Sequence, residues 1–251
     1  MKFMIYISIL LFSFSLKAQE QNMLDRLNNL HLKRLENRNE WEVKDSLNRL
    51  IYKTIVSDLS KDFITTDTTH YYLLENKLKN VTKGVTLAYA FMNNIVINST
   101  EDFTIFSTDV LDNGSYHEYL NYIRYKTDKN WKVLALDKNQ NDKSAGYFRI
   151  EKLDNFYILF GYGTYGSGKQ HFVIRIFEKN KAEIRECFNC YPKQKMFFIE
   201  CNRSQNIDLN FDTKTKEFSF KQFKMDDDTG FYTREFDLIK YKFSNGVFIR
   251  K

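Results

Sequence analysis

Glycine, proline and cysteine are scarce in this chain of 251 residues, which has only 9 Gly, 1 Pro and 3 Cys. So few glycines and prolines exclude a collagen-like or low-complexity chain, and so few cysteines exclude a small domain built on many disulfides. The chain instead carries 23 Phe, 16 Tyr and 2 Trp, and 43% of its residues are hydrophobic. This composition predicts a globular protein with an aromatic core.

Charge of either sign is spread along the chain and forms no block. The formal net charge is +6, and basic residues stand beside acidic ones, as in Asp25-Arg26 and Arg234-Glu235. A nucleic-acid-binding protein concentrates its basic residues in a patch or stripe. We therefore expect no nucleic acid partner.

Long apolar runs are missing except near the start of the chain. Lys2 precedes an apolar stretch from Phe3 to Leu16, and Lys17-Ala18 follows it. This stretch is shorter than the roughly 20 residues of a membrane-spanning helix, so residues 1–18 are predicted to be a signal peptide cleaved after Ala18. The mature protein is then expected to have no transmembrane segment and to be exported to the periplasm, the cell surface or the medium.

Residues 19–80 are predicted to form an N-terminal helical segment packed on the rest of the protein. Asn39 and Glu42 match the two ends of a capping box. Beyond them, apolar residues recur every three or four positions and so share one helix face: Val43, Leu47, Leu50, Ile51, Ile55, Leu59 and Phe63. A shorter helix is predicted from Gln21 to about Arg38.

Residues 81–251 are predicted to form an antiparallel β domain, so the fold class is mainly β with an N-terminal α-helical segment. Aromatic and β-branched segments alternate here with Asn, Asp, Lys and Gly clusters every ~8–12 residues. No helical pattern interrupts them, whereas a parallel sheet needs crossover helices. The predicted strand segments are Val85–Phe91, Phe103–Phe106, Tyr119–Tyr125, Phe156–Phe160, Phe172–Phe177, Phe218–Phe220 and Phe236–Phe243. A β-meander, either blade-like as in a propeller or folded into a sandwich, fits this pattern.

A weak threefold hairpin repeat runs through the β domain. Its markers are Gly114, Gly166 and Gly230, each in a polar loop after an aromatic strand. Eleven residues after each glycine stands an aromatic residue, namely Tyr125, Phe177 and Tyr241. A short polar turn and a further strand follow each time. The predicted unit is therefore strand, glycine loop, strand, tight turn, strand, with a loose period.

A glycine-rich segment resembles two nucleotide-binding motifs. Gly161, Gly163 and Gly166 match the spacing of a dinucleotide-binding loop, and Gly163 to Lys169 match the first part of a phosphate-binding loop. Both motifs require a helix directly after the loop, because its free N–H groups hold the phosphate. Here the β-type residues from His171 to Phe177 follow instead, so we predict a hairpin and no nucleotide.

Three cysteines lie close together at Cys187, Cys190 and Cys201. A zinc site needs four ligands, and no histidine lies between Ala182 and Phe211. In an oxidising compartment we expect one disulfide, formed by Cys201 with Cys190 or with Cys187. A redox pair of Cys187 with Cys190 is the alternative.

Two other patterns match metal sites only in part. His117-Glu118 begins like a zinc-protease helix motif, but Asn121 stands where the second histidine is needed. The acidic turn from Asp226 to Gly230 lacks the spaced ligands of a calcium-binding EF-hand loop. We therefore predict no metal and no other cofactor.

The sequence indicates function only as a class. Tyr162, Tyr165 and Lys169 lie in the glycine-rich segment, where they are predicted to form a contact surface for a protein or glycan partner. We expect a non-catalytic binding or structural module of the bacterial cell envelope. The alternative is an exported hydrolase whose acid and base residues the sequence does not identify. A pocket that gathers carboxylates or histidines of shifted pKa would favour the hydrolase.

Overall fold

The computed structural model describes residues 40–59, 69–74, 77–80, 95–100, 102–109, 117–128, 130–136, 144–165, 168–181, 183–191 and 196–251, with positions 26, 29, 30, 33, 36 and 37. These residues form three antiparallel sheets and a helix near the N-terminus, which confirms the predicted mainly β fold class. The predicted signal peptide and the predicted strand Val85–Phe91 lie outside the described residues, as does most of the helix predicted from Gln21. No helix in the described ranges is long and apolar enough to cross a membrane.

Helix α1, Trp41–Leu59, forms where apolar residues recur every three or four positions. Leu47 and Ile51 on this stripe are buried. From Thr69 onward the chain forms strands, so the helical segment predicted to residue 80 is too long. The reason is local, because the aromatic residues between Thr69 and Leu74 favour a strand.

The first sheet has six strands in the order β2-β1-β3-β4-β5-β6. They are β1 Thr69–Leu74, β2 Lys77–Asn80, β3 Ile95–Thr100, β4 Phe103–Asp109, β5 Tyr119–Lys126 and β6 Trp131–Leu136. From β3 to β6 each strand pairs antiparallel with the next one in the chain, so these four form a meander. β1 pairs with β3 and carries β2 on its other edge.

The second sheet has five strands. They are β7 Gly146–Leu153, β8 Phe156–Tyr165, β9 Lys169–Lys179, β10 Ile184–Glu186 and β11 Phe197–Asn202. The strands β7 to β10 form a second meander. β10 and β11 pair with the same edge of β9. β10 pairs with its last residues, Phe177–Lys179, and β11 pairs with Lys169–Ile174. A 3-10 helical turn, Phe188–Cys190, lies between β10 and β11.

The third sheet is again a meander of four strands. They are β12 Asn210–Asp212, β13 Glu217–Met225, β14 Tyr232–Ser244 and β15 Val247–Arg250. Asn245 and Gly246 connect β14 to β15 with φ angles of 51° and 81°. Two successive positive φ angles characterise the tight hairpin turn that the Asn-Gly pair favours.

The same four-strand order therefore recurs in the three sheets, and an aromatic pair occupies the same place in each. The aromatic residue that follows each marker glycine lies opposite another aromatic residue of the preceding strand: Tyr125 opposite Phe103, Phe177 opposite Tyr157, and Tyr241 opposite Phe218. Gly230 lies between β13 and β14, while Gly114 and Gly166 are outside the described residues. Directly opposed aromatic pairs stabilise antiparallel strands through ring contact.

The second sheet is the middle layer of a sandwich, because both of its faces are buried. On β8, Tyr157 and Leu159 belong to the core shared with the first sheet, and Ile158 and Phe160 belong to the core shared with the third. Successive side chains of a strand point to opposite faces, so β8 contacts a neighbouring sheet on each side. This explains why the apolar residues of β8 and β9 run nearly without interruption.

Candidate functional site

Four tight turns of the first and second sheets line a cleft of about 700 Å³ at one end of the sandwich. They are the β3–β4, β5–β6, β7–β8 and β9–β10 turns, which meet because alternate turns of a meander lie at the same end of the sheet. The lining residues are Asp102, Lys126, Thr127, Asp128, Lys152, Asp154, Asn155, Tyr157, Lys179, Asn180 and Lys181. Almost all of them are polar.

The polar side chains of the cleft are those that the turns themselves require. The Thr127 hydroxyl accepts a hydrogen bond from the Asn130 amide at 3.1 Å, and the Asn180 side-chain oxygen accepts one from the Glu183 amide at 2.9 Å. Asp154 adopts a positive φ of 54°. Asn, Asp and Thr favour turns because they form such local bonds or tolerate this backbone conformation. The turn chemistry therefore also sets the polar character of the cleft.

Asp102 is the charged centre of the cleft. Its carboxylate accepts hydrogen bonds from Lys179 Nζ at 2.7 Å and from Lys152 Nζ at 3.2 Å. Partial burial by itself would raise the pKa of Asp102, but the hydrogen bonds from Lys179 and Tyr157 and the charge of Lys179 outweigh it and lower the pKa to about 2. Asp102 is therefore ionised at any physiological pH.

Tyr157 connects this charged centre to the core. Its ring stacks on Phe103 of the first sheet with centroids 4.5 Å apart, and only 1% of the residue is exposed. Burial raises the pKa of Tyr157 well above its usual value, and the hydrogen bond to Asp102 and the charge of that carboxylate raise it further. The hydroxyl therefore stays protonated and donates to Asp102.

The four lysines of the cleft fall into two groups. Lys152 and Lys179 both form ion pairs with the single carboxylate of Asp102. Lys126 and Lys181 are exposed and form no ion pair with any residue that the structure describes. The site therefore offers two ammonium groups to a ligand without the loss of an existing ion pair.

The carboxylates of the cleft also differ in whether they form ion pairs. Asp154 pairs with Lys216 outside the cleft, with 3.1 Å between Nζ and the carboxylate. Asp128 is exposed and forms no ion pair with a described residue. Asn155 donates to the Glu178 carboxylate at 3.1 Å. Asp128 thus adds one hydrogen-bond acceptor to a lining that otherwise presents mostly donors.

The structure does not bring the predicted contact residues together on a surface loop. Tyr162 lies within β8, is only 7% exposed, and donates a hydrogen bond to Gln170 Oε1 at 3.1 Å. Burial raises the pKa of Tyr162 to about 12. The prediction of Tyr162 as a contact residue is therefore wrong, because β8 continues to residue 165 and directs this ring into the core shared with the third sheet.

The two other predicted contact residues also belong to strands. Lys169 begins β9, where its ammonium group lies 3.6 Å from Glu200 and 5.6 Å from the ring centroid of Tyr232. Tyr165 pairs with Lys169 through the backbone, and its side chain is outside the described part of the protein. Lys169 is thus already engaged by its neighbours in the sheet.

The glycine motif serves close packing within the sheet. A Cβ on Gly163 would lie 2.1 Å from the Ser144 carbonyl oxygen and 2.5 Å from the ring of His171. His171 itself is fully buried, with Nε2 3.0 Å from the same carbonyl oxygen. Strand β9 follows the motif directly, so the helix that a phosphate site requires is not present at this point.

The observed disulfide corrects the predicted pairing. Cys187 and Cys190 are bonded, with their Cα atoms 5.4 Å apart across the 3-10 turn, and Cys201 is a free thiol. β11 holds Cys201 opposite Gln170 in the second sheet, where the thiol is buried and accepts a hydrogen bond from Gln170 Nε2 at 3.3 Å. Burial raises the pKa of Cys201 to about 11, so this thiol is unreactive at neutral pH. The expected bond of Cys201 with Cys190 or Cys187 is therefore not formed.

The two partial metal motifs have local structural roles. His117 lies just before β5, with its ring centroid 6.3 Å from that of Tyr119. Asp226 Oδ1 accepts hydrogen bonds from the amides of Asp228 and Thr229, both at 3.0 Å, and so closes the β13–β14 turn. Across the described ranges, no three His, Cys, Asp or Glu side chains converge on a position suited to a metal ion.

Comparisons of this chain with protein-family models, with curated proteins and with solved structures each give no match.

Proposed function

We propose that the protein is a non-catalytic binding module of the bacterial cell envelope, and that the cleft holds an acidic glycan. The observation that carries this proposal is the pair of exposed lysines, Lys126 and Lys181, in a concave site whose remaining charges are largely paired. An anionic group placed between them gains two charge-assisted hydrogen bonds.

The ion pairs of Asp102 with Lys152 and Lys179 support binding because they hold the turns of the cleft in place. Asp102 ties Lys152 of β7 and Lys179 of β9 to the β3–β4 turn, so three of the four turns share one ion cluster. Lys179 Nζ and Asp102 are both mostly buried, which screens their interaction less than at an open surface. Lys181 is therefore presented on a framework that is ordered before binding, and the Lys126 amide attaches the fourth turn to it by donating to the Asp102 carbonyl at 3.0 Å.

The polar lining favours a hydroxyl-rich ligand over an apolar one. Sites for apolar molecules are lined mainly by hydrophobic side chains. Here the lining contains the amide and hydroxyl side chains of Thr127, Asn155 and Asn180, which also form hydrogen bonds within the protein, and Asp128 adds acceptor oxygens. Such groups exchange hydrogen bonds with sugar hydroxyls, while the lysines select a carboxylate or phosphate on the same chain.

The electrostatics of the cleft favour binding over hydrolysis. A carboxyl group that acts as a general acid needs a raised pKa so that it keeps its proton near neutral pH. Asp102 has the opposite property, because its pKa is lowered to about 2. Among the described residues that line the cleft there is no histidine to supply a proton instead.

Export is part of the proposal and has independent support. The apolar segment Phe3–Leu16 before Ala18 is typical of a cleaved signal, and a disulfide between Cys187 and Cys190 is typical of an oxidising compartment. N-terminal sequencing of the protein from its native host is expected to begin at Gln19. A mature protein that retains Met1 would contradict export by this signal.

Calorimetric titration tests the proposed ligand class. The probe is an oligogalacturonate, with its neutral methyl ester as the matched control ligand. We expect Lys126→Gln with Lys181→Gln to weaken oligogalacturonate binding by about tenfold or more, since each lost charged hydrogen bond is worth ~1.5–3 kcal/mol. The control variant is Lys53→Gln with Lys240→Gln, which removes the same charge from exposed positions outside the cleft.

Two outcomes would contradict the proposal. Equal affinity for the acid and for its methyl ester would show that the anionic groups are not recognised. Equal loss of affinity in both double variants would show that total charge, and not the cleft, attracts the ligand. An oligosaccharide phosphate used in parallel separates a phosphate-selective site from a carboxylate-selective one.

A further inference from the structure

Strand β14 has an open edge in the third sheet. It pairs regularly with β13 from Phe236 to Lys242 and again at Tyr232 beyond a shift in register, but on its other side β15 covers only Tyr241–Ser244. On the side away from β13, no strand in the described part of the chain lies beside the segment 234–239, which we call the open edge. An unpaired strand edge presents a row of backbone donors and acceptors to any extended chain.

Both ends of the open edge are closed by other contacts. At one end, the side chains of Asn202 and Gln205 donate to the carbonyl oxygens of Tyr232 and Thr233. At the other end, the Lys251 amide donates to the Lys240 carbonyl at 3.0 Å. The free stretch between them is six residues long, or about 20 Å at ~3.3 Å per residue. This is the length of an ordinary strand.

The pairing with β15 shows which backbone groups face outward. Lys240 directs its carbonyl oxygen toward β15, and in an antiparallel ladder every second residue directs its N–H and C=O to the same side. Phe236 and Leu238 therefore direct their backbone groups toward the open edge. The intervening residue Asp237 directs its backbone groups toward β13.

The side chains from Glu235 to Leu238 alternate between acidic and apolar, with the basic Arg234 before them and the buried Ile239 after them. Phe236 and Leu238 are 44% and 57% exposed, and Phe236 contacts Phe223 of β13 with ring centroids 5.7 Å apart. The side chain of Asp237 points to the face opposite to Phe236 and Leu238, and Glu235 and Asp237 are both exposed. Lys224 pairs with Glu235 at 3.0 Å, but both side chains are largely exposed and the pair is therefore weak. Asp237 forms no ion pair with any described residue.

We propose that the open edge binds an extended peptide segment of a partner protein by strand addition. The segment that fits has apolar residues beside Phe236 and Leu238 and basic residues beside Glu235 and Asp237. Backbone hydrogen bonds supply affinity in this mode of binding, and the alternating side chains supply selectivity. This interaction goes beyond the glycan cleft and does not depend on it, because the cleft is formed by turns of the other two sheets.

A second copy of the chain does not fit the open edge. If the open edges of two copies paired antiparallel, a twofold axis would relate the two strands. This axis must pass through a residue position, because residues with outward-facing backbone groups lie opposite one another. Centres at Glu235 and Asp237 place each of these carboxylates opposite its own copy, and a centre at Phe236 places Glu235 opposite Asp237. A centre at Leu238 brings Phe236 against Lys240, where β15 already lies. Like charges directly opposite each other destabilise a sheet, so the edge selects against self-association.

The test uses a capped six-residue peptide of alternating lysine and valine, with the glutamate–valine peptide as control. Nuclear magnetic resonance on the full mature chain follows amide exchange and chemical shift. We expect the lysine peptide to slow exchange of the Phe236 and Leu238 amides, while the Asp237 amide, already paired with β13, stays unchanged. The glutamate peptide is expected to bind at least about fivefold more weakly, since each opposed charge pair contributes up to ~1 kcal/mol.

Two variants keep the proposal falsifiable. Leu238→Pro removes an outward N–H without removing a bond to β13, so the sheet is expected to remain folded while peptide binding falls by about tenfold or more. Asp237→Lys leaves one acidic and one basic side chain beside the peptide and is expected to abolish the preference between the two peptides. The absence of lysine-peptide binding, binding that both variants leave unchanged, or a dimer in sedimentation that Leu238→Pro dissociates would each overturn the proposal.

Discussion

Tyr157 stacks on Phe103 with ring centroids 4.5 Å apart and so joins the second sheet to the first, and it lines the cleft together with Asp102. The same tyrosine donates a hydrogen bond to that carboxylate. One residue therefore links the packing of two sheets to the charge that organises the cleft. Because the ring contact and the hydrogen bond arise from different atoms, substitution can separate them.

Tyr157→Phe is expected to destabilise the protein by about 1.5 kcal/mol. The variant retains the ring stack and removes only the hydrogen bond to a charged acceptor. Urea denaturation measures the change in the free energy of unfolding. In the Asp102→Asn background the same substitution is expected to cost clearly less. Equal cost in both backgrounds would show that the hydroxyl does not act through Asp102.

Acid is expected to remove the stabilisation that the ionised Asp102 provides. Its pKa is about 2 in the folded protein, below the ordinary value of 3.8 that the unfolded chain has. The contribution is therefore complete above about pH 4 and is lost as the pH falls toward 2, since the unfolded chain binds the proton first. Asp102→Asn should flatten the stability curve in this interval. Asp128→Asn removes the same charge at an exposed site in the same cleft and is the control for an effect of net charge alone.

Gly163→Ala is expected to cost about 3 kcal/mol or more of stability. The new methyl group would meet the Ser144 carbonyl oxygen and the His171 ring, and neither can move freely in the buried sheet. Gly168→Ala is the comparison, because Gly168 has open space around it and a φ of 68°. Its cost should be about 1 kcal/mol, from backbone strain alone. Thermal melting distinguishes the two, and a smaller loss for Gly163→Ala would contradict the packing role of the glycine.

Mass spectrometry is expected to find Cys187 and Cys190 bonded within one tryptic peptide. Residues 186–193 should appear two hydrogens lighter than in their reduced form, while denaturation without reductant exposes Cys201 alone to alkylation. Cys201→Ala should preserve this bond. A peptide crosslinked through Cys201 would contradict the structure and restore the pairing expected from the sequence.

Local patterns predicted the mainly β class and several of the antiparallel hairpins, but not β1 and β2, which lie in the segment predicted to be helical. The period of two marks the β-domain, and the glycine-marked hairpins correspond to β4–β5, β8–β9 and β13–β14. The helical pattern around Leu47 and Ile51 likewise predicts α1. These features depend on residues near one another in the chain, so a single sequence carries them.

Contacts between residues that are far apart in the chain could not be predicted from local patterns. Tyr162 stands between two glycines, as a loop residue often does. It is a core residue only because the third sheet packs over β8. The spacing of the cysteines permits either pairing, and the ladder between β9 and β11 decides against Cys201. The cleft is the extreme case, since its residues come from four turns that span positions 102 to 181. The sequence predicts each of these four segments to be a turn, but it does not show that the four turns lie together.

The most direct test of the proposed glycan site is a map of backbone amide shifts during titration with oligogalacturonate. Saturable shifts are expected to cluster at Thr127, Asn155 and Asn180, in three turns far apart in sequence. The shifts should be absent when Lys126 and Lys181 are both glutamine. Saturable shifts confined to another part of the protein, or no saturable shifts, would contradict the assignment of the cleft as the binding site.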